Sequence, residues 1–195
     1  MLRRMSGGKQ YKYQLIVPDV AANTWQALVV FIYTGTIRFA PLRSQGLEFY
    51  RTERTKHRET NPRWPALCSP KSVYRLADIV GLKELKILAF DDLKSRITEM
   101  TINREIFSKF TATYNEVLEM QMQILCTGAM LAQVMPKTLK TVAAVTQSSQ
   151  MPHVENALAA MILKLSMILS TNESALPSSS SEGDKLVPLR QSPEQ

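Results

Sequence analysis

The sequence predicts a mostly helical α+β protein. Apolar residues recur at helical spacing over several segments, most clearly Trp25–Ile32, Val73–Val80 and Leu85–Ile97. Two short runs, Tyr11–Val17 and Thr36–Phe39, contain β-branched and aromatic residues, which favour an extended backbone. We therefore expect several helices and a few short strands.

The first helix is predicted over Asn23–Tyr33. Asn23 is placed to cap its N-terminus, and Gln26 three residues later would complete a capping box. Gly35 can adopt a positive φ, so it can end the helix without a steric clash. The apolar stripe that should face the core has the spacing i, i+3, i+4 and i+7 and comprises Trp25, Leu28, Val29 and Ile32.

Segment 42–68 is polar, basic and interrupted by prolines, and it is predicted to be a loop insertion. The net charge of +7 raises nucleic-acid association through residues 51–63 as an alternative function. Solvated loop charge is the favoured interpretation, because the cations follow no recognition helix and do not alternate with aromatic residues. The candidate phosphate-contacting residues are Arg51, Arg54, Lys56, Arg58 and Arg63.

A pair of tightly connected helices is predicted next. The dipeptide Ser69–Pro70 is a favourable helix start, and Gly81 is placed to end that helix. The second helix should expose the charged residues Asp91, Asp92 and Lys94 to solvent. Its predicted buried face comprises Leu85, Leu88, Ala89 and Leu93.

Further helices are predicted beyond this pair. Ile102–Phe110 and Val117–Leu125 each carry an apolar face, and Pro136 is expected to break the next helix. Segment 147–152 has the composition of a linker, and the last helix is predicted over Glu155–Leu169. The predicted organisation is a disordered tail at 1–10, a first domain at 11–98, a helical extension at 99–170 and a disordered tail at 171–195.

The sequence offers little for catalysis. It lacks a phosphate-binding glycine loop, a dinucleotide-binding fingerprint and a nucleophile elbow. Cys68 with His57 is the strongest candidate for a nucleophile and its base, but nothing in the sequence orients the two side chains. Cys68 and Cys126 have no Cys-x-x-Cys partner, and we predict no metal site and no cofactor. We therefore expect a protein that is not an enzyme.

The composition also indicates where the protein resides. No segment has the roughly 20 uninterrupted apolar residues of a membrane helix, and the start lacks the apolar region of a signal peptide. The two cysteines fit a reduced thiol pair better than a disulfide framework. These observations predict an intracellular protein of the nucleus or cytoplasm, without a membrane partner.

Two stretches taken together resemble the C-terminal half of a BTB/POZ domain. They are VAANTWQALVVFIYTGTI at 20–37 and SPKSVYRLADIVGLKELKILAFDDLKSRI at 69–97. The motif FIYTG at Phe31–Gly35, followed by Leu76–Asp78 and then Gly81–Leu82, is similar to the family pattern. The resemblance implies a truncated BTB/POZ-like domain over 11–98. The helices that follow it look like the start of a BACK-type extension.

The resemblance implies a protein–protein interaction module. BTB domains form homo- or hetero-oligomers, and members serve as adaptors for cullin-type ubiquitin ligases or as transcription-related scaffolds. The implied partner is therefore a cullin or another BTB protein. The family helices that dock a cullin match Asn23–Tyr33 and Lys83–Ile97. The candidate partner-binding residues are Phe31, Tyr33, Asp91, Asp92 and Lys94, with packing of Phe31 and Tyr33 against the core as the alternative.

Two features depart from the family pattern. The family's first strands and helices have no counterpart before Tyr11, and the hydrophobic-x-Glu signature of many cullin-binding members is absent from Ile37–Ala40. Burying one large apolar side chain is worth about 1.5–3 kcal/mol, so the helix that carries Trp25 should lack part of its usual cover. The isolated chain is therefore expected to be marginally stable or prone to aggregate.

Overall fold

A computed structural model describes residues 2–5, 12–15, 20–147 and 154–173. These residues are mostly helical, as the sequence predicts. The predicted linker at 147–152 lies outside the described residues except for Gln147, and the predicted C-terminal tail lies outside them from residue 174 onward.

The described chain starts with a small antiparallel hairpin. Strand β1 spans Leu2–Met5 and strand β2 spans Lys12–Leu15, with Leu2 opposite Leu15 in the register. β2 lies within the run Tyr11–Val17, whose remaining residues are outside the described ranges. The prediction of a disordered tail over 1–10 is wrong at β1, because these four residues pair with β2.

Helix α1 spans Ala22–Thr34 and ends where the sequence predicts. Gly35 has a φ of 66°, and its amide donates a hydrogen bond to the Phe31 carbonyl over 2.7 Å. The predicted cap at Asn23 is wrong, because Ala21 takes the N-cap position and makes no side-chain hydrogen bond. The buried face lies one residue before the predicted stripe and comprises Thr24, Ala27, Leu28 and Phe31.

The strand predicted over Thr36–Phe39 is wrong. Phe39 forms an isolated parallel bridge with Cys68, and the Ala40 amide donates to the Cys68 carbonyl over 2.8 Å. A strand needs a ladder of such pairs, and Pro41 removes the next amide donor. The bridge nevertheless holds the two ends of segment 42–68 together.

The loop predicted over 42–68 is wrong, because its centre is helical. A short 3₁₀ turn at Arg43–Gln45 leads into helix α2 over Leu47–Thr60. Glu, Arg and Lys have high helix propensity, and Glu48 pairs with Arg51 one turn later at 2.8 Å. Basic residues occupy the last turn, where the helix dipole favours them. Such a charged surface helix has no apolar period, so hydropathy does not reveal it.

Helices α3 and α4 span Pro70–Val80 and Lys83–Ser95 and pack against each other, as predicted. Gly81 has a φ of 74°, and the Leu82 amide donates to the Ala77 carbonyl over 2.9 Å, which ends α3 in a Schellman-type turn. The short turn makes the two helices neighbours. Their buried residues include Val73, Tyr74, Leu76, Ala77, Leu85, Ala89 and Leu93.

Three shorter helices follow. They are α5 over Ile102–Ile106, α6 over Lys109–Thr113 and α7 over Asn115–Leu125. The apolar face predicted over Ile102–Phe110 is divided between α5 and α6, because the Ser108 hydroxyl caps α6 and accepts a hydrogen bond from the Thr111 amide over 3.2 Å. The predicted apolar face is nevertheless buried, since Ile102, Ile106, Phe107 and Phe110 all lie in the core.

Helix α8 spans Gly128–Gln147 and continues through Pro136, so the break predicted there is wrong. Proline removes one backbone hydrogen bond, but Val134 and Thr138 on either side are buried and the helix packs against α5 and α7. The Thr138 hydroxyl donates to Asn103 Oδ1 over 2.6 Å. Tertiary contacts therefore keep the helix intact across the proline.

The last helix, α9, spans Val154–Glu173, which contains the predicted Glu155–Leu169, and it packs against α6 and α7. Its buried residues Val154 and Met161 belong to the same apolar cluster as Ala27 of α1. One core therefore continues across residue 98, where the sequence predicts that a first domain gives way to a helical extension.

Tyr74 occupies the centre of this core at 1% exposure. Its ring centroid lies 5.6 Å from that of Phe110 and 5.0 Å from that of Tyr114, both edge-on, and 6.3 Å from that of Phe90. Its hydroxyl donates to Glu116 Oε1 over 2.5 Å. Because these partners lie on or next to α4, α6 and α7, one side chain of α3 joins helices on both sides of residue 98.

Substitutions at Tyr74 should separate the contribution of its hydroxyl from that of its ring. Tyr74→Phe should lower the free energy of unfolding by about 1–3 kcal/mol, because it removes a hydrogen bond to a charged group. Tyr74→Ala should lower it by about 3–5 kcal/mol, because it also leaves a cavity. Urea unfolding followed by circular dichroism measures both, with the exposed Tyr33→Phe as control. A loss below about 1 kcal/mol for Tyr74→Ala would contradict this central position.

Candidate protein-interaction surface

The outer side of α1 is apolar and exposed. Ile32 and Tyr33 are 61% and 84% exposed, and Val29 is 36% exposed. Their spacing places all three on one side of the helix, which we call the α1 face. Phe31 instead lies in the core at 9% exposure, so packing against the core describes Phe31 and not Tyr33.

The α1 face includes two residues of the predicted core stripe, so that stripe is wrong at Val29 and Ile32. The set with the same spacing one residue earlier is buried instead, and α1 packs against α3. Residues 25–33 are apolar around most of the helix, which allows either rotation. The tertiary contact with α3 decides which side is buried.

Helix α4 also presents apolar side chains to solvent. Ile87 is 59% exposed and Leu88 is 40% exposed, so the prediction that Leu88 is buried is wrong. Asp91 and Lys94 are exposed as predicted and lie within two turns of Ile87 on the same side. We call these four residues the α4 face. It combines an apolar pair with charges at one end.

Asp92 is occupied by an ion pair within α4. Its two carboxylate oxygens accept hydrogen bonds from Arg96 one turn later, at 2.6 and 2.8 Å. A bidentate pair of this kind is among the stronger charged contacts and fixes both side chains. Of the three candidate residues on this helix, Asp91 and Lys94 are therefore the ones available at the surface.

A shallow groove of about 260 Å³ opens beside Ile87. An ion network borders it, in which Lys86 Nζ donates to Asp78 Oδ1 over 2.7 Å and to Glu116 Oε1 over 2.9 Å. These three residues belong to α3, α4 and α7, so the network holds the three helices together at the groove. The lining residues are Tyr74, Lys86, Ile87, Phe90 and Glu116.

The network also shifts the pKa values of its members. Hydrogen bonds from Tyr74 and Lys86 lower the pKa of Glu116 to about 2. Hydrogen bonds to Asp78 and Glu116 raise the pKa of Lys86. Burial and the hydrogen bond to Glu116 raise the pKa of Tyr74. Glu116 and Lys86 therefore stay charged and Tyr74 stays neutral near pH 7, so the network suits a structural role better than proton transfer.

The basic residues of segment 51–63 do not converge on one site. Four of the five candidates lie on α2 rather than in a loop, and Arg63 follows the end of the helix. Arg51 pairs with Glu48. Arg54 alone among the five lines a cavity of about 470 Å³ that is bounded by residues of α1, α2 and α3. The other two candidates on α2, Lys56 and Arg58, are exposed to solvent.

Cys68 and His57 are each bonded elsewhere. Cys68 Sγ donates to the Arg38 carbonyl over 3.5 Å, whereas His57 Nε2 lies 3.0 Å from the Pro65 carbonyl oxygen. Burial raises the pKa of Cys68 to about 12, which disfavours the nucleophilic thiolate.

Among the described residues, no group of three or more His, Cys, Asp or Glu side chains could hold a metal ion. None of the described helices combines the length and apolar character needed to cross a membrane.

The chain matches no family model, no curated protein and no solved structure. The BTB/POZ resemblance therefore stays a prediction from the two stretches at 20–37 and 69–97.

Sequence reasoning missed Ile79 and Ile87, which are 76% and 59% exposed. Both are apolar, but neither belongs to the predicted apolar stripe of its own helix. A large apolar residue on the side of a helix opposite its stripe is the signal that could have indicated them.

The lowered pKa of Glu116 predicts a pH-dependent stability. Glu116 has an ordinary pKa of 4.5 and one of about 2 when folded, so the folded state binds its proton less tightly. The contribution is present above pH 4.5 and is lost as the pH falls toward 2. The melting temperature of the unmodified chain should exceed that of Glu116→Gln near neutral pH, and the gap should narrow on acidification.

Thermal melts at a series of pH values measure this gap. Glu59→Gln, an exposed carboxylate of α2 outside the network, is the matched control and should behave like the unmodified chain. A gap between the unmodified chain and Glu116→Gln that is constant with pH would contradict the role of the Glu116 charge.

Proposed function

We propose that this chain is a protein–protein interaction module that binds its partner through the α1 face. The observation that carries the proposal is the exposure of Ile32 and Tyr33 at 61% and 84%, on a helix whose opposite side is buried in the core. The inner side of α1 packs against α3 and the core, whereas its outer side has no cover among the described residues. Exposed apolar side chains on a rigid element are a typical binding surface.

The chemistry of the α1 face fits a protein partner. Tyrosine is enriched among the residues that contribute most to interface affinity, because its ring provides area and its hydroxyl provides a hydrogen bond. Ile32 adds apolar area one residue away. The α4 face offers a second, more polar contact region, with Asp91 and Lys94 next to Ile87 and Leu88. Such polar groups give specificity around an apolar anchor.

At a finer level, the proposed module is a BTB/POZ-like adaptor for a cullin-type ubiquitin ligase or a transcription-related scaffold. Support comes from the sequence resemblance and from the order of α1, the Gly35 end and the α3–α4 pair with its Gly81 turn. The two helices that match the family's cullin-docking helices are α1 and α4. Both have an exposed apolar patch on the outer side.

Nucleic-acid association is a second candidate because the basic segment forms helix α2. Lys56 and Arg58 lie exposed on that helix, and cations along a helix suit contacts with phosphates. Binding to a generic DNA or RNA duplex that weakens steeply with salt would favour this function. Loss of that binding in Arg58→Gln, with the interaction through the α1 face unchanged, would separate it from the first proposal.

The α1 face is tested with the double variant Ile32→Ser/Tyr33→Ala. The unmodified chain should self-associate or co-elute with a purified cullin N-terminal domain in size-exclusion chromatography with light scattering. The double variant should weaken that association by about 2 kcal/mol, or about 30-fold in Kd. Circular dichroism should show the fold unchanged, because both side chains face solvent.

The control is Met100→Ser, which removes a residue that is 77% exposed but lies outside both faces. It should leave the association intact. Self-association without cullin binding would support the interaction module and contradict the cullin adaptor. A monodisperse monomer that binds neither itself nor the cullin domain would contradict this proposal.

A further inference from the structure

A cavity of about 470 Å³ lies between the start of α1, the helix α2 and the start of α3. Its size is within the range of about 300–1,000 Å³ that is typical of small-molecule sites. Four cationic side chains line it, against a single carboxylate among the lining residues. The cations come from the 3₁₀ turn, α2 and α3, and they are Arg43, Arg54, Lys71 and Arg75.

The cations on the α2 side of the cavity are positioned by one aromatic ring. The Arg43 and Arg54 guanidinium groups lie 5.6 and 5.3 Å from the centroid of the Tyr50 ring. Arg54 Nη1 also donates to the Tyr50 hydroxyl over 3.2 Å. No acidic group pairs with either arginine in the described chain. Cation–π contacts hold the two charges in place without neutralising them.

The cations on the α3 side are supported in the same way. Lys71 Nζ lies 5.5 Å and the Arg75 guanidinium lies 5.8 Å from the centroid of the Phe110 ring. Lys71 is paired with Glu105, whose side chain is 5% exposed and lines the cavity. Glu105 therefore offsets one of the four cations. Arg75, like the two arginines opposite, has no acidic partner among the described residues.

Two helix starts add to the positive potential of the cavity. The N-cap residues Ala21 and Ser69 both line it, and neither provides a side-chain cap for its helix. Neither α1 nor α3 has an acidic residue in its first turn. Pro70 at the start of α3 has no amide proton, and the Thr24 and Ser72 amides already donate to the Ala21 and Ser69 carbonyls. The amides of Asn23 and Lys71, which both line the cavity, have no intrahelical acceptor and can donate to an anion. Together with the aromatic-supported cations, they line a cavity suited to negative charge.

We propose that this cavity binds a small phosphorylated molecule. Its phosphate groups lie between the Arg43–Arg54 pair and the Lys71–Arg75 pair, with amides of the two helix starts completing the contacts. Arginine is suited to this role because its planar group binds two phosphate oxygens at once. The inference is independent of the α1 face, which contributes no residue to the cavity.

The cavity favours a small ligand over a nucleic acid. A duplex or a single strand is bound along an extended basic surface. Of the five cations at 51–63, only Arg54 lines the cavity, and Arg51 is already paired with Glu48. The lining cations surround one cavity instead of following a line. This geometry suits one or two phosphate groups on a compact molecule.

Titration calorimetry of the full chain with inorganic pyrophosphate tests the proposal, with sodium chloride at matched ionic strength as reference. Pyrophosphate should bind saturably with one site per chain. Arg54→Gln and Arg75→Gln should each weaken binding at least about tenfold, which corresponds to one lost charge-assisted contact. Arg58→Gln, a cation on α2 that does not line the cavity, is the matched control and should bind like the unmodified chain.

The variant Glu105→Gln should change the pyrophosphate affinity in the opposite direction from the arginine variants. Removing the single carboxylate of the cavity should strengthen pyrophosphate binding severalfold, whereas a merely damaged site would bind more weakly. Circular dichroism checks that each variant folds. Binding no stronger than that of chloride, or equal losses in Arg54→Gln and Arg58→Gln, would overturn the proposal. Tight duplex binding that depends on Arg58 and is not displaced by pyrophosphate would assign the basic charge to a nucleic acid instead.

Discussion

The contact on which the fold depends most is that of Tyr74 with its surroundings. Its ring packs edge-on against Phe110 and Tyr114, and its hydroxyl donates to Glu116, which also binds Lys86. Apolar packing and a charged hydrogen bond thus act on one side chain. Because the partners come from α4, α6 and α7, this contact makes the helices before and after residue 98 parts of one core.

The packing around Tyr74 also determines which surfaces the protein exposes. With α3 and α4 fixed from behind, α1 packs on α3 through its Thr24–Phe31 side and directs Ile32 and Tyr33 to solvent. The same arrangement directs Ile87 outward on α4. At the opposite ends of α1 and α3, residues of the two helix starts line the basic cavity together with residues of α2. One packing arrangement therefore produces both the apolar face and the anion site.

The sequence predicts this fold well where a local signal decides the structure. Gly35 and Gly81 end helices at positive φ, and residues 70–95 form the predicted pair. It fails where tertiary contacts decide. The rotation of α1 and the continuation of α8 through Pro136 depend on packing. Helix α2 escapes prediction for a different reason, because its charged sequence has high helix propensity but no apolar period. The candidate sites follow the same division. The sequence alone names Tyr33 as a candidate partner-binding residue, whereas the cavity cations Arg43, Lys71 and Arg75 come together only in the folded chain.

Native-state hydrogen exchange at increasing denaturant tests the central position of Tyr74 most directly. If this side chain unites the helices, the slowest amides of α3, α4 and α7 should exchange through the same global unfolding event, with one free energy and one dependence on denaturant. Separate exchange of α7 at a much lower free energy than α3 and α4 would contradict the account. It would show instead that the helices on either side of residue 98 unfold as independent units.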